Sequence, residues 1–191
     1  MTTGQVLDIF RATGALLEGH FKYTSGKHGP HFLQASKVLQ HPNYCERMCK
    51  AIAELFKNDN IEMVVGPAMG GVILAYETAR HLECRAAFTE KTPDGGMAIK
   101  RGIRVPQGTN VLVVEDIITT GGSVQKTIDH LRSRGARIAG VSVLVDRSGG
   151  VAAFDVPYRP LAYLALQAFD AASCPACADG APLMNPDDMI V

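Results

Sequence analysis

The sequence lacks an excess of charge of either sign. Lys and Arg together number 19, and so do Asp and Glu, which gives a formal net charge of zero at neutral pH. A protein that binds nucleic acid or a membrane surface through general electrostatics carries a basic excess on one face or in one tail. We therefore expect no nucleic-acid partner and no membrane partner.

Long apolar runs are also missing. No stretch is long enough to span a bilayer, and the first residues do not combine a basic segment with an apolar one, so we expect neither a membrane span nor a signal peptide. Five cysteines, an odd number, fit a reducing compartment better than a disulfide framework, which predicts a cytoplasmic location. Without internal repeats or low-complexity linkers, residues 1–191 are expected to form one domain.

Strand patterns alternate with helix patterns along most of the chain. The predicted strands are 61–66, 84–90, 111–116, 138–145 and 161–166, and helices are predicted at 5–18 and 42–59 and after the strands that end at 66 and 116. This alternation predicts an α/β fold with a mainly parallel five-stranded sheet flanked by helices. Ligand loops of such a sheet gather at the carboxyl ends of its strands.

The most concentrated group of acidic, hydroxyl and glycine residues follows the third predicted strand. Residues 111–114 are apolar, Glu115 and Asp116 come next, and a turn of hydroxyl and glycine residues runs over 119–123 before helical spacing resumes at Val124. Unpaired N–H groups at a helix start suit a phosphate, and glycines allow close approach of the backbone. Two carboxylates would repel a phosphate, so they are expected to serve ribose hydroxyls, a metal or developing positive charge. A sugar phosphate satisfies both halves of the motif.

This stretch resembles the phosphoribosyl-diphosphate (PRPP) signature of the type I phosphoribosyltransferases, in which apolar residues lead to two acids, two aliphatic residues and a Thr/Gly-rich loop. An ordinary acidic turn between strand and helix is the alternative. The resemblance implies the type I phosphoribosyltransferase fold, and it covers about residues 16 to 150. It implies that PRPP is bound by a continuous run of nine residues: Glu115, Asp116, Ile117, Ile118, Thr119, Thr120, Gly121, Gly122 and Ser123.

A second strand-to-helix loop has the same small-residue character. Residues 61–66 lead into Gly66-Pro-Ala-Met-Gly-Gly71, which suits an anion held by backbone N–H groups. By the same resemblance, Ala68, Met69, Gly70 and Gly71 hold the pyrophosphate of PRPP. Some relatives have a Lys within this loop, and here the position is apolar, so main-chain contacts must do more. A merely tight turn is the alternative on this stretch alone.

The segment before residue 40 is expected to form a small N-terminal hood, about 19–40, over a core of about 42–170, with the C-terminal tail as a further candidate part of the hood. Its Ser25-Gly-Lys-His-Gly-Pro-His-Phe32 stretch resembles one found in orotate phosphoribosyltransferases, which implies that Lys27 and Phe32 lie near the base. A surface hairpin with its Phe in the core is the alternative. His20, His28 and His31 lack a compact ligand spacing, so a solvated loop is favoured over a metal site.

A basic loop follows the second core strand. Lys91 begins it, Pro93 to Gly96 form a turn, and Lys100 and Arg101 end it. The resemblance implies that Lys91 binds PRPP and is catalytic, together with Asp116 and Glu115, on a loop that closes over the neighbouring subunit's site. Relatives often have Arg where this chain has Glu90, and a longer loop. We hypothesise that Lys100 or Arg101 supplies part of the missing charge.

Two further features complete the predicted site and its surroundings. Arg147 follows the strand 138–145, and the resemblance implies that it grips a carboxylate of orotate, with Thr119, Lys27 and Phe32 as other contacts; an Asp146–Arg147 surface ion pair is the alternative. Cys174-Pro-Ala-Cys177 is half of a zinc site or a redox pair, but similar tails occur in relatives, which we take as the better explanation. Cys45 and Cys49 are predicted to be buried hydrophobic residues.

The resemblance implies an Mg²⁺-dependent orotate phosphoribosyltransferase of pyrimidine biosynthesis, in which orotate and PRPP give orotidine 5′-monophosphate and pyrophosphate. Mg²⁺ would be held mainly by PRPP, with no direct protein ligand, and the enzyme would be a homodimer with shared active sites. Two alternatives remain: a type I phosphoribosyltransferase for another base, and a non-catalytic regulator that senses PRPP and binds nucleic acid. The neutral charge balance and the intact acidic pair argue against the second.

Overall fold

The computed structural model describes residues 1–23 and 25–185. Its helices are α1 (Thr3–Ala12), α2 (Ser36–Leu39), α3 (Pro42–Phe56), α4 (Gly70–Leu82), α5 (Gly122–Ser133) and α6 (Pro175–Ala178), with a 3₁₀ turn at Ala171–Ser173. Its strands are β1 (Leu16–Lys22), β2 (His28–Leu33), β3 (Met63–Pro67), β4 (Arg85–Lys91), β5 (Met97–Ala98), β6 (Asn110–Ile118), β7 (Arg137–Asp146) and β8 (Ala162–Tyr163). The tail beyond residue 185 lies outside the described residues.

The main sheet has the strand order β5-β4-β3-β6-β7-β8. Strands β4, β3, β6, β7 and β8 are parallel to their neighbours, and the α/β prediction with a mainly parallel sheet is confirmed. Strand β5 is an addition: it pairs antiparallel with the end of β4, inside the predicted basic loop. Two residues are too few for a recognisable alternation of apolar and polar positions, which is why the sequence pattern did not reveal it.

Hydrophobic residues cover both faces of the sheet. Val64 points into a cluster with α3 and α4, whereas its neighbour Val65 points into a second cluster with α5. Alternate residues of a strand face opposite sides, so a sheet with helices on both sides needs continuous apolar strands. Cys45 and Cys49 are buried on α3, as predicted, with their sulfurs 3.9 Å apart. The strand ends that carry the predicted site residues are thereby fixed on a packed core.

The hood is an antiparallel hairpin of β1 and β2, in which Leu16 pairs with Leu33. The predicted helix over 5–18 was too long, because α1 ends at Ala12 and Leu16 and Leu17 belong to β1. The cause is Gly14, whose φ of +63° ends the helix, after which the Ala15 N–H returns to the Phe10 carbonyl at 2.8 Å. A positive φ is accessible to glycine at little cost.

The C-terminal segment packs along this hairpin. The Met184 N–H donates to the His20 carbonyl at 2.7 Å, and His28 and Phe169 exchange two backbone hydrogen bonds of 2.8 Å. The predicted solvated loop is wrong for His20 and His28, which are 5% and 7% exposed, because these later residues cover them. Among residues 1–23 and 25–185, the helices are too short or too polar for any of them to cross a bilayer.

Candidate active site

Glu115 and Asp116 stand at the carboxyl end of β6, at the centre of the sheet's ligand edge. The Ile117 N–H donates to Asp116 Oδ1 at 2.6 Å, and the Asp116 N–H donates to Glu115 Oε1 at 3.1 Å. Burial, then repulsion from Asp116, raises the pKa of Glu115 to about 9, and burial also raises the pKa of Asp116. Both shifts favour a proton on this pair, and a polyhydroxyl or cationic ligand would relieve the repulsion between the two carboxylates.

The turn after the acidic pair leads directly into α5. Gly121 has a φ of +80°, and in the described chain its helix has no side-chain cap, whereas α1 has a complete capping box from Thr2 and Gln5. The exposed Thr119 and Thr120 add hydroxyl groups to the same turn. An open cavity of about 80 Å³ is lined by residues 115 and 117–124. This cavity has room for two or three waters at about 30 Å³ each, which suits a small anion better than a nucleoside.

The second loop lies against the acidic pair. A Cβ added at Gly70 would collide with the Asp116 carboxylate, and one added at Gly66 would collide with the backbone of Gly71. The Ala68 N–H donates to the Thr89 carbonyl at 2.7 Å, which ties the loop to β4, and the Ala68–Met69 peptide is cis. Helix α4, which begins here, also lacks a side-chain cap within the described residues. The sequence suggested two separate anion loops, and the fold places them on either side of Asp116.

Arg147 connects this edge of the sheet to the hood. Its Cζ lies 4.8 Å from the ring centroid of Tyr23 and 5.9 Å from that of Phe32, both on the hood. Burial lowers the pKa of Arg147, although the guanidinium stays charged. Within the described residues, no carboxylate lies at salt-bridge distance from it. A half-buried cation held by aromatic rings remains available to an anionic ligand.

The alternative Asp146–Arg147 surface ion pair is not what the structure contains. Asp146 is buried, and its carboxylate accepts hydrogen bonds from the Tyr158 hydroxyl at 2.9 Å and from the Ser148 N–H at 2.7 Å. Burial, followed by the hydrogen bond with Asp146, raises the pKa of Tyr158. These contacts shape the turn after β7, and the Arg147 N–H completes it by donating to the Ile118 carbonyl at 2.9 Å. Asp146 thus positions the turn from which Arg147 projects.

Lys27, near the tip of the hood hairpin, is exposed. Its Nζ lies 3.6 Å from the Asp170 carboxylate, and its carbonyl accepts from the Tyr23 N–H at 2.8 Å. A surface pair of this kind contributes about 0–1 kcal/mol. The structure thus brings Phe32 to Arg147 while it directs Lys27 toward the C-terminal segment, so the orotate-binding role of Lys27 stays a prediction.

Lys91 ends β4, where its side chain is exposed. The loop that follows is anchored by Lys126, whose Nζ donates to the Gly95 carbonyl at 2.8 Å. Arg101 makes a bidentate contact with Glu90 at 2.8 and 3.2 Å, and Lys100 donates to the Lys91 carbonyl at 3.0 Å. The two cations that we considered as substitutes therefore already have partners in this conformation, and the catalytic role of Lys91 stays a prediction.

Sequence reasoning missed one residue of the site and one contact within it. Tyr23, which stacks on Arg147, gave no signal beyond its place in an aromatic-rich segment. The close approach of Gly70 to Asp116 was also hidden, because the two residues lie on different loops. A cleft of about 440 Å³ opens beside this contact, between the hood connection at 33–36 and the wall formed by Met69, Asp116 and Ile117. It is large enough for a small planar molecule.

Comparison with known proteins agrees with this geometry. Residues 34–157 match the family model of the phosphoribosyl transferase domain. The orotate phosphoribosyltransferase of Thermus thermophilus is 48% identical over 178 residues, which cover 93% of this chain and 97% of the relative. That of Desulforamulus reducens is 44% identical over 186 residues, 97% of both chains. The crystal structure of orotate phosphoribosyltransferase from Aeropyrum pernix superposes with a TM-score of 0.73 at 26% identity and covers 83% of this chain and 93% of that one. The chain therefore belongs to the orotate phosphoribosyltransferases of the type I phosphoribosyltransferase family.

Proposed function

We propose that the protein transfers the 5-phosphoribosyl group of PRPP to N1 of orotate, releasing pyrophosphate and orotidine 5′-monophosphate. The observation that carries this proposal is the contact between Asp116 and Gly70. It sets a buried acidic pair between two loops whose helices start without side-chain caps. A donor with a phosphate at one end, a diphosphate at the other and ribose hydroxyls between them matches that order of groups.

We assign a group of residues to the binding of each part of PRPP. Residues 119–123 receive the 5′-phosphate through N–H and hydroxyl groups at the start of α5. Glu115 and Asp116 receive the 2′ and 3′ hydroxyls of the ribose, while Ile117 and Ile118 connect the acids to the phosphate turn. Residues 68–71 receive the pyrophosphate through their N–H groups, and Lys91 adds a positive charge at the same place.

The orotate site is proposed between the hood and the turn after β7. Arg147 would hold the carboxylate of orotate with two parallel N–H donors, because a guanidinium matches a carboxylate in shape and charge. Phe32 would face the flat ring, Thr119 would offer its hydroxyl, and Lys27 would contribute positive charge after leaving its exposed pair with Asp170. The pyrimidine would then lie next to the anomeric carbon of the ribose.

The reaction is a substitution at that carbon. The bond from C1 to the pyrophosphate oxygen breaks and its electron pair leaves with pyrophosphate. N1 of orotate forms the new bond to C1 and gives up its proton to the departing pyrophosphate or to solvent. By analogy with other glycosyl transfers, bond breaking runs ahead of bond making and positive charge develops on the sugar. Glu115 and Asp116, once ionised, stabilise that charge, and Lys91 stabilises the leaving group.

The donor set also fits the Mg²⁺ dependence that we propose. Carboxylate oxygens suit this hard cation, whereas the pyrophosphate loop offers no side-chain oxygen, so the substrate itself would supply most ligands. When bound, Mg²⁺ would neutralise part of the charge of the departing pyrophosphate. Glu115 and Asp116 would act on Mg²⁺ only indirectly, because they fix the ribose hydroxyls of the substrate that binds the ion.

We further propose that residues 1–191 form one catalytic domain that works as a homodimer in the cytoplasm. Val6 and Phe10 of α1 and Leu33 of the hood belong to the same buried cluster as α3 and β6, which supports a single unit. Met69, Ile73 and Tyr76 are 85%, 48% and 69% exposed on or beside α4, an apolar face that a second copy would cover next to the pyrophosphate loop. Lys91 of one copy would then serve its neighbour's site.

A panel of bases tests the proposed function. With PRPP and Mg²⁺ present, we expect orotate to be consumed with one pyrophosphate released per orotate, and adenine, hypoxanthine and uracil to remain. Consumption of one of those bases in place of orotate would assign the protein to another branch of the family. No turnover of any base, together with a salt-dependent shift of nucleic acid, would instead favour the regulator.

A further inference from the structure

We propose that His20, His28, Cys174 and Cys177 form a structural zinc site that joins the hood to the C-terminal segment. One ligand atom from each of these residues lies within 4.8 Å of every other. The two histidines come from the hood hairpin, and the two cysteines flank the start of α6. This four-residue set is called the His/Cys cluster below. It is separate from the acidic pair and the two loops of the proposed active site.

The measured distances match those of a tetrahedral centre. His20 Nε2 lies 3.1 Å from His28 Nδ1 and 3.5 Å from each cysteine sulfur, and His28 Nδ1 lies 3.2 Å from Cys177 Sγ. Zinc bonds of about 2.0–2.1 Å to nitrogen and about 2.3 Å to sulfur give nitrogen–nitrogen edges of about 3.3 Å and nitrogen–sulfur edges of about 3.5 Å in a tetrahedron. Four of the six ligand–ligand distances therefore lie close to those of a tetrahedral site, and the other two are within 4.8 Å.

The hydrogen bonding of His20 fixes which nitrogen faces the cluster as a ligand. Its Nδ1 lies 2.9 Å from the carbonyl of Ala181, and a carbonyl can only accept, so Nδ1 carries a proton. In the neutral ring Nε2 then carries a lone pair, and this atom faces His28 Nδ1 and both cysteine sulfurs. A metal-binding histidine commonly donates its second nitrogen to a backbone carbonyl in this manner.

Without a metal the same arrangement is poorly satisfied. A neutral His20 offers one lone pair at Nε2, yet that atom faces three groups at 3.1–3.5 Å. His20, His28 and Cys174 are buried, which removes water as an alternative partner for most of them. Buried polar groups normally have partners of suitable polarity. One cation bound by four lone pairs resolves all of these contacts at once.

The ligand chemistry selects zinc over the cation of the proposed reaction. Two thiolates and two imidazoles are soft or borderline donors in tetrahedral array, which zinc favours, whereas Mg²⁺ requires oxygen ligands in octahedral array. Four protein ligands also fill the coordination shell, as in structural rather than catalytic zinc sites. Cys45 and Cys49 are buried elsewhere, on α3.

A zinc ion here would bind together two parts of the chain that are far apart in sequence. The hairpin and the C-terminal segment are also joined by backbone hydrogen bonds at His20–Met184 and His28–Phe169 and by the exposed pair of Lys27 with Asp170. The same hairpin carries Tyr23 and Phe32, which contact Arg147. The site would therefore hold the hood in position over the core. Structural zinc contributes directly to folding stability.

Metal analysis of untagged protein, purified without chelators, tests the proposal. We expect one zinc per chain in the wild type and a loss of most of it in Cys177→Ser and His28→Ala. Cys84→Ser and His41→Ala are matched controls from outside the His/Cys cluster and should keep the full content. After removal of the zinc under reducing conditions, cobalt(II) alone should give the visible spectrum of tetrahedral cobalt with thiolate charge transfer in the wild type and a weaker one in Cys177→Ser.

Two outcomes would overturn the proposal. One is metal-free protein whose five thiols are reduced and whose cobalt(II) spectrum is octahedral, which would make the His/Cys cluster a hydrogen-bonded group. The other is a disulfide between Cys174 and Cys177 in freshly purified protein, which would make it a redox pair. Neither readout depends on transferase activity, so this proposal and the proposed function fail separately.

Discussion

The guanidinium of Arg147 lies over the ring of Tyr23, with its Cζ 4.8 Å from the ring centroid. Arg147 belongs to the turn after β7 and Tyr23 to the hood, so this contact joins the two halves of the proposed orotate site. A cation–π contact of a partly desolvated Arg contributes about 1–2 kcal/mol. It also aligns the guanidinium without neutralising it, which leaves its charge for a carboxylate.

The first prediction concerns Arg147 itself. In Arg147→Ala the KM for orotate should rise about 10- to 100-fold, because a charge-assisted hydrogen bond contributes about 1.5–3 kcal/mol and each 1.4 kcal/mol is a factor of ten. The KM for PRPP should change little. Arg137→Ala, at the first residue of β7, is the control. Steady-state kinetics of the wild type and the two variants measure both KM values. An unchanged KM for orotate in Arg147→Ala would remove this residue from the base site.

The second prediction uses the contact between Gly70 and Asp116. A Cβ at position 70 would displace the Asp116 carboxylate, a side chain that can turn aside without unfolding the protein. Gly70→Ala should therefore lower kcat/KM for PRPP at least ~10-fold while the melting temperature changes little. Gly4→Ala in α1, where a Cβ meets ordinary contact distances, should retain full activity. Equal activity of the two variants would show that the position of Asp116 does not matter.

The third prediction is a pH dependence of stability. The pKa of Glu115 is raised from 4.5 in the unfolded chain to about 9, mainly by burial. Between these values the folded protein keeps a proton that the unfolded chain loses, so the free energy of unfolding falls as pH rises through this window. Glu115→Gln removes the effect and should be more stable than the wild type at pH 8 by ~1 kcal/mol or more, or at least about 2–4 °C in Tm.

Thermal unfolding of the free protein from pH 4.5 to pH 9 measures this difference. It should be small at the acidic end of the series and grow steadily toward the alkaline end. Glu54→Gln, an exposed carboxyl on α3, is the matched control and should follow the wild type at every pH. Parallel curves for the wild type and Glu115→Gln would contradict the raised pKa.

The fourth prediction concerns Lys91. Removing a positive group that acts on a leaving group costs about 10²–10³ in kcat, so Lys91→Ala should lower kcat by about that factor with little change in the KM for orotate. Lys57→Ala, an exposed lysine at the end of α3, should behave as the wild type. An unchanged turnover number in Lys91→Ala would end the catalytic interpretation of this residue.

The sequence predicted correctly those elements that are formed by consecutive residues. The strand, acidic pair, glycine turn and helix of residues 111–131 are consecutive, so their periodicity and their small residues suffice to place them. The end of α1 was misplaced because Leu16 and Leu17 continue an apolar pattern that Gly14 interrupts. A pattern of apolar residues does not report a change of backbone conformation.

Contacts between distant residues could not be predicted in the same way. Arg147 meets Tyr23 because the hood lies against the turn after β7, and His20 meets a cysteine 154 positions later because the C-terminal segment folds back over the hood. Ligand spacing within one segment therefore looked unsuitable for a metal, although two halves from different segments form a compact group. The sequence alone gives the residue types of such a group but not their distances.

The most direct test of the proposed PRPP site is a crystal structure of the protein with PRPP and Mg²⁺, with Asp116→Asn assayed beside it. We predict the 5′-phosphate within residues 119–123, the ribose hydroxyls on Glu115 and Asp116, and a loss of turnover of ~100-fold or more in a folded Asp116→Asn. A sugar phosphate bound elsewhere, with residues 119–123 free of phosphate and Asp116→Asn fully active, would contradict it.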